Sequence, residues 1–254
     1  MPLPFTARSL DPDAAAFCAR SGASDVAAID AFVKGVKDLG LWDSMVCWPL
    51  RSSQNAGTGT TAYSLGGLGT YNGTLIDGPA WTADGLDFDG SKLMTTSGLV
   101  HNPSTTNSSL VAVVSSSEVA NVVVIVEMNN GAATGVRIRR DDSRYGISAV
   151  TSIGTQAITS ISGSATANVF AFTAGSFSPS QQFAVANGTQ SSVSTNTLGN
   201  ANTVSFQLGL EVANFNGTNA FAAYFGNTAL TFAQTQSIRD LYKTTLGQGL
   251  TGLP

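Results

Sequence analysis

The chain has 254 residues, carries 12 Lys and Arg against 16 Asp and Glu, and has a formal net charge of −4. Only 11% of the residues are charged, where about 25% is ordinary for a soluble domain, and the helix-favouring residues Glu and Lys are scarce, with three and four copies. This composition excludes a mostly helical enzyme and predicts short strands joined by polar turns.

The charge pattern argues against nucleic-acid and membrane partners. The pI is about 4.8, and no cluster of Lys and Arg offers the positive surface that phosphate backbones or anionic lipids attract. The longest nearly apolar run, residues 121–128, is far too short to span a bilayer. Cys18 and Cys47 lack a second ligand-type neighbour, so we predict neither a metal nor a cofactor. We expect both thiols to be reduced, as is usual in a protein made in the cytosol.

The N-terminal part is predicted to be an arm followed by a helix. Residues 1–22 have no evident fold of their own, so we expect an extended arm with a short helical turn at Asp13–Phe17. A helix is predicted from Ser24 up to a left-handed cap at Gly40. Its apolar positions follow the i, i+3, i+4, i+7 rule at Val26, Ile29, Phe32, Val33, Val36 and Leu39. We assign residues 1–47 to this arm and helix, which dock on the body of the chain or on a partner.

From Trp48 onward the hydrophobic pattern changes to a period of two, and residues 48–254 are predicted to form a single β-sandwich of about a dozen strands. Residues 135–140 and 145–150 flank Asp141-Asp142 as a hairpin. A capping box at Thr231 and Gln234 begins a closing helix, which ends near Gly247. Turns are predicted at Asn72-Gly73, Asp84-Gly85, Asn187-Gly188 and Asn216-Gly217.

Four motifs, in this order over residues 24–245, resemble a known family. They are the helix that runs into Gly40–Met45, the segment Gly85–Ser91, the Phe183–Val193 hairpin, and Ala223–Gly226 followed by Leu230-Thr231, Ile238 and Leu241-Tyr242. Together they resemble the laminin-G-like and concanavalin-like jelly rolls of structural proteins from tailed bacteriophages. The resemblance implies an all-β jelly-roll sandwich with an N-terminal arm and helix and a short C-terminal helix.

That family resemblance also implies a function. The protein would be a non-enzymatic virion component made in the cytoplasm of a bacterial host, and we favour a capsid decoration or cement protein that stabilises capsomer joints. Its partners would be the major capsid protein and further copies of itself, with a trimer expected from the family. Phe5, Arg8 and Phe17 are the candidate anchors of the arm on the particle.

A glycan-binding adhesion module of a phage tail or head fibre is the alternative hypothesis, because the same sandwich serves lectins. It requires an exposed aromatic platform and Asp or Asn side chains in adjoining loops. Trp42, Trp48 and Trp81 are candidates for the platform. Trp42 directly follows an apolar helix, so we favour helix-to-sheet packing for this residue.

The carboxylates give no support for an enzyme. Glycosidases of this fold place paired carboxylates close together on one sheet, and a Glu-x-Asp-x-x-Glu strand of that kind is missing from the sequence. Glu118, Glu127 and Glu211 are interpreted as solvent-exposed strand residues. His101 lacks a Ser or Cys partner in a recognised setting, so no catalytic residue is predicted.

Two charged clusters allow more than one interpretation. Asp77, Asp84, Asp87 and Asp89 could supply oxygen ligands to Ca²⁺, but Asp before Gly is also typical of turns, which is the interpretation we favour. Strand alternation places Arg137 and Arg139 on one face and Arg140 on the other. These arginines form either a local ion-pair cluster, which we favour, or a contact patch for another subunit or the capsid.

Overall fold

The computed structural model describes residues 9–99, 102, 104–117, 123–129, 135–141, 143–150, 156–162, 165–199, 205–209 and 215–253. The helices within these residues are α1 Pro12–Ser21, α2 Val26–Asp38 and α3 Phe232–Thr244. A short 3-10 turn, Trp42–Ser44, joins α2 to the first strand. No helix in this part of the chain has the length and apolar character needed to cross a membrane.

Two of the three helices confirm their sequence signals. In α2 the predicted apolar stripe is buried at Ile29, Phe32, Val33 and Val36, and the chain leaves the helix through Gly40 at φ 68°. In α3 the hydroxyl of Thr231 accepts a hydrogen bond from the Gln234 amide, and the Gln234 side chain accepts one from the Thr231 amide. The C-terminal end of α2 and the N-terminal end of α3 are therefore determined by residues close in sequence, Gly40 in the first case and the Thr231–Gln234 capping box in the second.

The segment before α2 differs from the prediction, because residues 12–21 form a full helix where an extended arm with one turn was expected. Asp11 caps α1 by accepting a hydrogen bond from the Asp13 amide at 2.9 Å, and Pro12 occupies the first turn, where a missing N–H costs nothing. Lys37 of α2 binds Asp11 at 2.8 Å and Asp13 at 2.6 Å. Helix α1 is thus fastened to α2 of its own chain.

Sixteen strands lie within the described residues, and all of their pairings are antiparallel. In chain order they are β1 Met45–Pro49, β2 Thr61–Ala62, β3 Gly73–Ile76, β4 Ala80–Trp81, β5 Leu86–Asp89, β6 Leu93–Thr96, β7 Ser108–Ser116, β8 Val123–Asn129, β9 Gly135–Asp141, β10 Arg144–Val150, β11 Gln156–Ile161, β12 Ala171–Ser178, β13 Gln181–Ala186, β14 Thr189–Gln190, β15 Ser205–Leu208 and β16 Asn216–Gly226.

The strands form two sheets of eight. The first, called the helix sheet below, has the order β14-β13-β12-β7-β16-β5-β4, and β1 also pairs with β16. The second, the back sheet, has the order β11-β10-β9-β8-β15-β6-β3-β2. The predicted all-β jelly-roll sandwich with a closing helix is confirmed.

Two apolar cores hold these layers together. The sandwich core lies between the sheets and includes Trp48, whose ring stacks on Phe206 at a centroid distance of 4.4 Å. The helix core lies between the three helices and the outer face of the helix sheet, where Phe32 meets Phe221 edge-on at 5.6 Å. The helix sheet is therefore buried on both faces wherever the helices lie on it.

Two of the four predicted turns are confirmed by the structure, and two are wrong. Asn187-Gly188, with both φ angles positive, closes the two-residue hairpin of β13 and β14 as predicted, and Asp84-Gly85 lies between the paired strands β4 and β5. The turns predicted at Asn72-Gly73 and Asn216-Gly217 are wrong. Gly73 begins β3, and Asn216-Gly217 begins β16, where Gly217 pairs with Phe88. Tertiary pairing overrides the turn propensity of these two dipeptides.

Candidate functional site

The outer face of the helix sheet has two ends of opposite character. At the covered end, Val111, Val113, Phe221, Ala223 and Phe225 lie beneath the helices in the helix core. At the open end, the outward positions on β5, β16 and the end of β7 carry polar side chains, which are Asp87, Asp89, Ser115, Ser117, Asn216 and Thr218. Strands β7 and β16 pass through both ends.

Strand register brings the polar side chains of the open end together. Thr218 of β16 lies opposite Asp87 of β5 on one side and Ser115 of β7 on the other. Two residues away, Asn216 lies opposite Asp89. Because side chains alternate along a strand, these two rows share one face while Phe88 between them points into the sandwich core. The result is a polar floor built from three adjacent strands.

A pocket with a volume of about 340 Å³ lies over this floor, and Lys92 and Asn168 also line it. The volume falls at the lower end of the range of about 300–1,000 Å³ that is common for small-molecule sites. We call this cavity the open-end pocket. Its side chains present carboxylates, hydroxyls, amides and one ammonium to a ligand.

Hydrogen bonds and one ion pair order the acidic side of the pocket. The Thr218 hydroxyl donates a short hydrogen bond to Asp87. Asp89 accepts hydrogen bonds from the Ser91 hydroxyl at 2.9 Å and from its amide at 3.2 Å, and the Lys92 ammonium lies 3.0 Å from its other oxygen. The hydrogen bond from Lys92, followed by those from Ser91, lowers the pKa of Asp89 below its ordinary value of 3.8. Asp89 is therefore ionised at neutral pH.

The wall of the pocket is braced from the core side at Ser116. Its hydroxyl donates to the carbonyl of Asn216 at 2.8 Å. The backbone carbonyl of Ser116 accepts hydrogen bonds from the backbone N–H of Asn168 at 3.0 Å and from the Arg140 guanidinium at 3.1 Å. Arg140 is fully buried beside the ring of Tyr145. The ends of β7 and β16 and the rim at Asn168 are thus held in one arrangement before any ligand binds.

The structure separates the four aspartates that were considered as Ca²⁺ ligands. Only Asp87 and Asp89 line the pocket. Asp77 adopts a left-handed turn conformation at φ 59°, and Asp84 lies in the turn between β4 and β5. Among the described residues, no group of three or more His, Cys, Asp or Glu side chains is arranged to hold a metal ion. The favoured turn interpretation is confirmed for Asp77 and Asp84.

One prediction about the glutamates is wrong. Glu127 was expected to be exposed, but only 1% of its surface is accessible, and Arg137 binds it at 2.7 Å across β8 and β9. Arg137 thus takes part in a local ion pair, whose partner is Glu127 of the neighbouring strand. Arg140 is buried in the sandwich and is therefore no part of a surface contact patch. Glu118, Glu211 and His101 lie outside the described residues.

The three tryptophans do not form a common platform. Trp48 is fully buried in the sandwich core. Trp42 packs against the helix core, as favoured, with the Lys37 ammonium 5.0 Å from the centre of its ring. Trp81 is half-buried against the sandwich core and donates from its indole to the Gly59 carbonyl at 3.2 Å. None of the three lines the open-end pocket.

The predicted arm anchors are placed only in part. Phe17 is fully buried in the helix core of its own chain, where the guanidinium of Arg20 lies 5.4 Å from the centre of its ring. Its side chain therefore offers no exposed surface to a partner. Phe5 and Arg8 lie outside the described residues.

The open-end pocket itself was missed from sequence. The alternation Leu86-Asp87-Phe88-Asp89 signals outward aspartates on a half-buried strand, and this signal was available. Asn216 and Thr218 were assigned to a turn and its flank, so their place on the same floor was hidden. Ser115 and Ser117 carry no local signal at all. The pairing of β7 with β16 places Thr218 beside Ser115, and the further pairing of β16 with β5 brings Asp87 to the same face.

Comparisons with known proteins support the fold. No protein-family model and no curated protein matches the sequence. Among solved structures, the receptor-binding domain of botulinum neurotoxin mosaic serotype C/D matches with a TM-score of 0.58 at 10% identity, covering 76% of this chain and 50% of that chain. The binding domains of serotypes D and G match with TM-scores of 0.54 and 0.53 at 11% and 12% identity, over 77% and 76% of this chain and 51% and 50% of theirs.

This chain therefore spans about half the length of the toxin domains that it matches. At such low identity the similarity establishes a shared β-sandwich architecture. What those domains bind is a property of the toxins. The affiliation with phage structural proteins stays a prediction from sequence.

Proposed function

We propose that this protein is a non-enzymatic glycan-binding module, and that the open-end pocket holds the sugar. The observation that carries the proposal is the polar floor, on which three neighbouring strands direct Asp87, Ser115, Thr218, Asp89 and Asn216 into one braced cavity. Receptor-binding domains of similar architecture support a binding role, because a rigid sandwich that displays a site at one end suits recognition.

The chemistry of the pocket suits a ligand with many hydroxyl groups. A sugar hydroxyl both donates and accepts, so it can donate to an aspartate while it accepts from an asparagine amide or a serine hydroxyl. Hydrogen bonds to ionised groups are about twice as strong as neutral ones, which gives Asp87 and Asp89 the largest share of the affinity. The pocket volume of about 340 Å³ suits one or two sugar rings.

The same two carboxylates do not form a glycosidase pair. Such a pair needs one carboxylic acid whose pKa is raised so that it can protonate the leaving group. The pKa of Asp89 is instead lowered by Lys92 and Ser91, and Asp87 accepts a hydrogen bond from Thr218. Both groups are arranged as hydrogen-bond acceptors, which fits binding without cleavage.

Capsid decoration and display on a virion stay predictions from the phage resemblance. They depended on an arm that reaches a partner, whereas α1 packs on α2 and buries Phe17 within the chain. Co-assembly of the purified protein with undecorated phage heads remains the direct test of that role. A glycan-binding module could serve on a virion as well, so binding to heads would not exclude the pocket function.

The test of the proposal is a glycan array followed by calorimetric titration of the strongest hits. Asp89→Ala and Asn216→Ala remove two exposed side chains from the floor. Loss of a charged hydrogen bond weakens binding by about 1.5–3 kcal/mol, or roughly ten- to a hundredfold, so we expect the larger loss for Asp89→Ala.

The matched control is Asp38→Ala. Asp38 is an exposed aspartate at the end of α2, close to the start of β1, which pairs with the far end of β16. This variant should bind like the parent chain, and denaturant titration should show that all three variants are folded under the conditions of the binding measurement. Flat responses across the array, or equal binding by the parent chain and both pocket variants, would overturn the proposal.

A further inference from the structure

The charges inside the open-end pocket do not balance. Asp87 and Asp89 contribute two negative charges, and Lys92 is the single cationic side chain among the described residues that line the cavity. The ammonium of Lys92 lies 3.0 Å from Asp89, so these two neutralise each other. Asp87 is half-buried, and the partner that it has in the structure is the neutral hydroxyl of Thr218. One negative charge therefore remains uncompensated on the floor.

From this imbalance we propose that the pocket selects neutral glycans and rejects those that carry a carboxylate or a sulfate, such as sialylated, uronic or sulfated sugars. The inference rests on the proposed glycan-binding function and adds the chemical class of the ligand. Nothing in the charge of the whole chain, −4, offsets the local imbalance.

Two contacts produce the selectivity. A neutral sugar donates a hydroxyl to the remaining lone pairs of Asp87, which converts the uncompensated charge into a charge-assisted hydrogen bond. An anionic group near the same place faces Asp87 directly, and screening is weaker at a half-buried carboxylate than at a fully exposed one. Such a group could gain an attractive contact only by competing with Asp89 for Lys92.

The pH range of the effect follows from the same groups. The pKa of Asp89 is lowered chiefly by its hydrogen bond from Lys92. The Lys92–Asp89 pair consequently stays intact in mildly acidic buffer, and Lys92 does not become available to an anion there. Selection against acidic sugars should therefore persist in mildly acidic buffer, because Lys92 stays bound to Asp89 there.

The experiment compares neutral sugars with acidic counterparts, which differ only in the acidic group for the two monosaccharide pairs and by a whole acidic residue for the lactose pair. Lactose is titrated beside sialyllactose, galactose beside galacturonic acid, and glucose beside glucuronic acid, each at about 20 mM and about 500 mM salt, where screening lengths differ several-fold. In the pair that binds most tightly, we expect the neutral member to bind at least tenfold tighter at low salt. The ratio should shrink at high salt, because only the repulsive contribution is screened.

Two variants identify the source of the discrimination. Asp87→Asn removes the uncompensated charge and keeps a side chain of the same shape, so the ratio of neutral to acidic affinity should fall several-fold. Asp38→Asn changes the net charge of the chain equally at a distant site, and its ratio should equal that of the parent chain. Equal or tighter binding of the acidic members, or an equal change of the ratio in both variants, would overturn the inference while leaving glycan binding intact. An absence of binding by every sugar would overturn the proposed function and this inference together.

Discussion

The covered and open ends of the helix sheet differ although they share the same strands. In β7, Val111 and Val113 lie under the helices, whereas Ser115, two residues further along the same face, lines the pocket together with Ser117, which directly follows the strand. The inward positions Leu110, Ala112 and Val114 all belong to the sandwich core, and Ser116 beyond them is buried and donates its hydroxyl to the Asn216 carbonyl. The contrast shows that apolar packing stabilises the sheet where helices cover it, and that polar side chains are left accessible where the helices stop.

A β-bulge marks the border between the two ends. The register of β16 against β7 shifts between Asn219 and Phe221, so that Ala220 is the additional residue. At the same place β16 changes its other neighbour, because β1 pairs with residues 221–225 and β5 pairs with residues 216–219. Bulges commonly redirect side chains and end pairings next to functional sites. Here the bulge separates the apolar stretch of β16 from its polar one.

The largest expected effect comes from opening the covered end. Phe221 is fully buried, 5.6 Å from the ring of Phe32 and 4.9 Å from that of Tyr242, measured between centroids. Phe221→Ala leaves a cavity between α2, α3 and the sheet, and we expect the free energy of unfolding to fall by about 3–5 kcal/mol. Chemical denaturation followed by circular dichroism measures this loss.

Phe221→Leu is the control for this prediction, because it keeps most of the buried volume and should cost far less. Glycan affinity of whatever fraction remains folded should be unchanged in both variants, since Phe221 does not line the pocket. A loss below about 1 kcal/mol for Phe221→Ala would contradict the view that the helices stabilise the sheet.

A smaller effect is expected when polarity is exchanged between two residues of one strand. Val113→Thr buries a hydroxyl at the covered end in place of a methyl group of the same shape, and an unsatisfied buried hydroxyl costs about 1–3 kcal/mol. Ser115→Val makes the reverse change at the open end. There it should alter the free energy of unfolding by no more than about 0.5 kcal/mol.

The binding measurement should reverse this order. Ser115→Val removes a donor from the pocket floor and should weaken glycan binding, whereas Val113→Thr should leave it unchanged. Thermal unfolding and calorimetric titration of the two variants side by side provide the check. Similar stability losses in both variants would mean that Val113 and Ser115 are equally buried, which would contradict the difference between the covered and the open end.

Local signals were sufficient for elements whose contacts are close in sequence. Three such elements are the α2 stripe, the Thr231 capping box and the hairpin at Asn187-Gly188. Each depends on residues within about ten positions of one another, so the sequence alone predicts them. The arm was underestimated because Phe17 and the helix around it are stabilised by α2 and the sheet. That packing is a tertiary contribution, which periodicity over a ten-residue segment does not reveal.

The candidate site required strand order, which the sequence does not display. Asp87, Ser115 and Thr218 belong to β5, β7 and β16 and become neighbours only through pairings that span long stretches of chain. The Asn216-Gly217 dipeptide was predicted to turn because its own propensity favours a turn. In the structure this dipeptide instead begins β16 and pairs with β5 and β7. The alternation of Leu86 to Asp89 indicates which side chains of β5 face outward, but only the pairing of β5, β16 and β7 places them beside the other residues of the pocket.

The smallest expected effect concerns the charges that fasten α1 over the covered end. Burial opposes ionisation of Asp11, but the hydrogen bonds from Lys37 and the Asp13 amide lower the pKa of Asp11. Burial also opposes the charge on Lys37, but its hydrogen bonds to Asp11 and Asp13 raise the pKa of Lys37. The carboxylate contribution is thus present above the ordinary Asp value of 3.8 and is lost as the pH falls through the lowered one. The ammonium contribution is present below the ordinary Lys value of 10.5 and is lost as the pH rises through the raised one.

Lys37→Met should therefore lower the free energy of unfolding between those limits only. The side chains of Lys37 and Asp13 are 32% and 50% exposed, so solvent screening limits the loss to about 0.2–1 kcal/mol at neutral pH. Lys243→Met, at an exposed position in the last turn of α3, serves as the control and should be close to neutral. Urea denaturation over a series from about pH 2 to about pH 12 makes the comparison. If the loss for Lys37→Met did not decline towards either end of the series, the contribution of Lys37 would have to come from packing of its methylene groups on Trp42. Helix α1 would then gain no stability from the charge of Lys37.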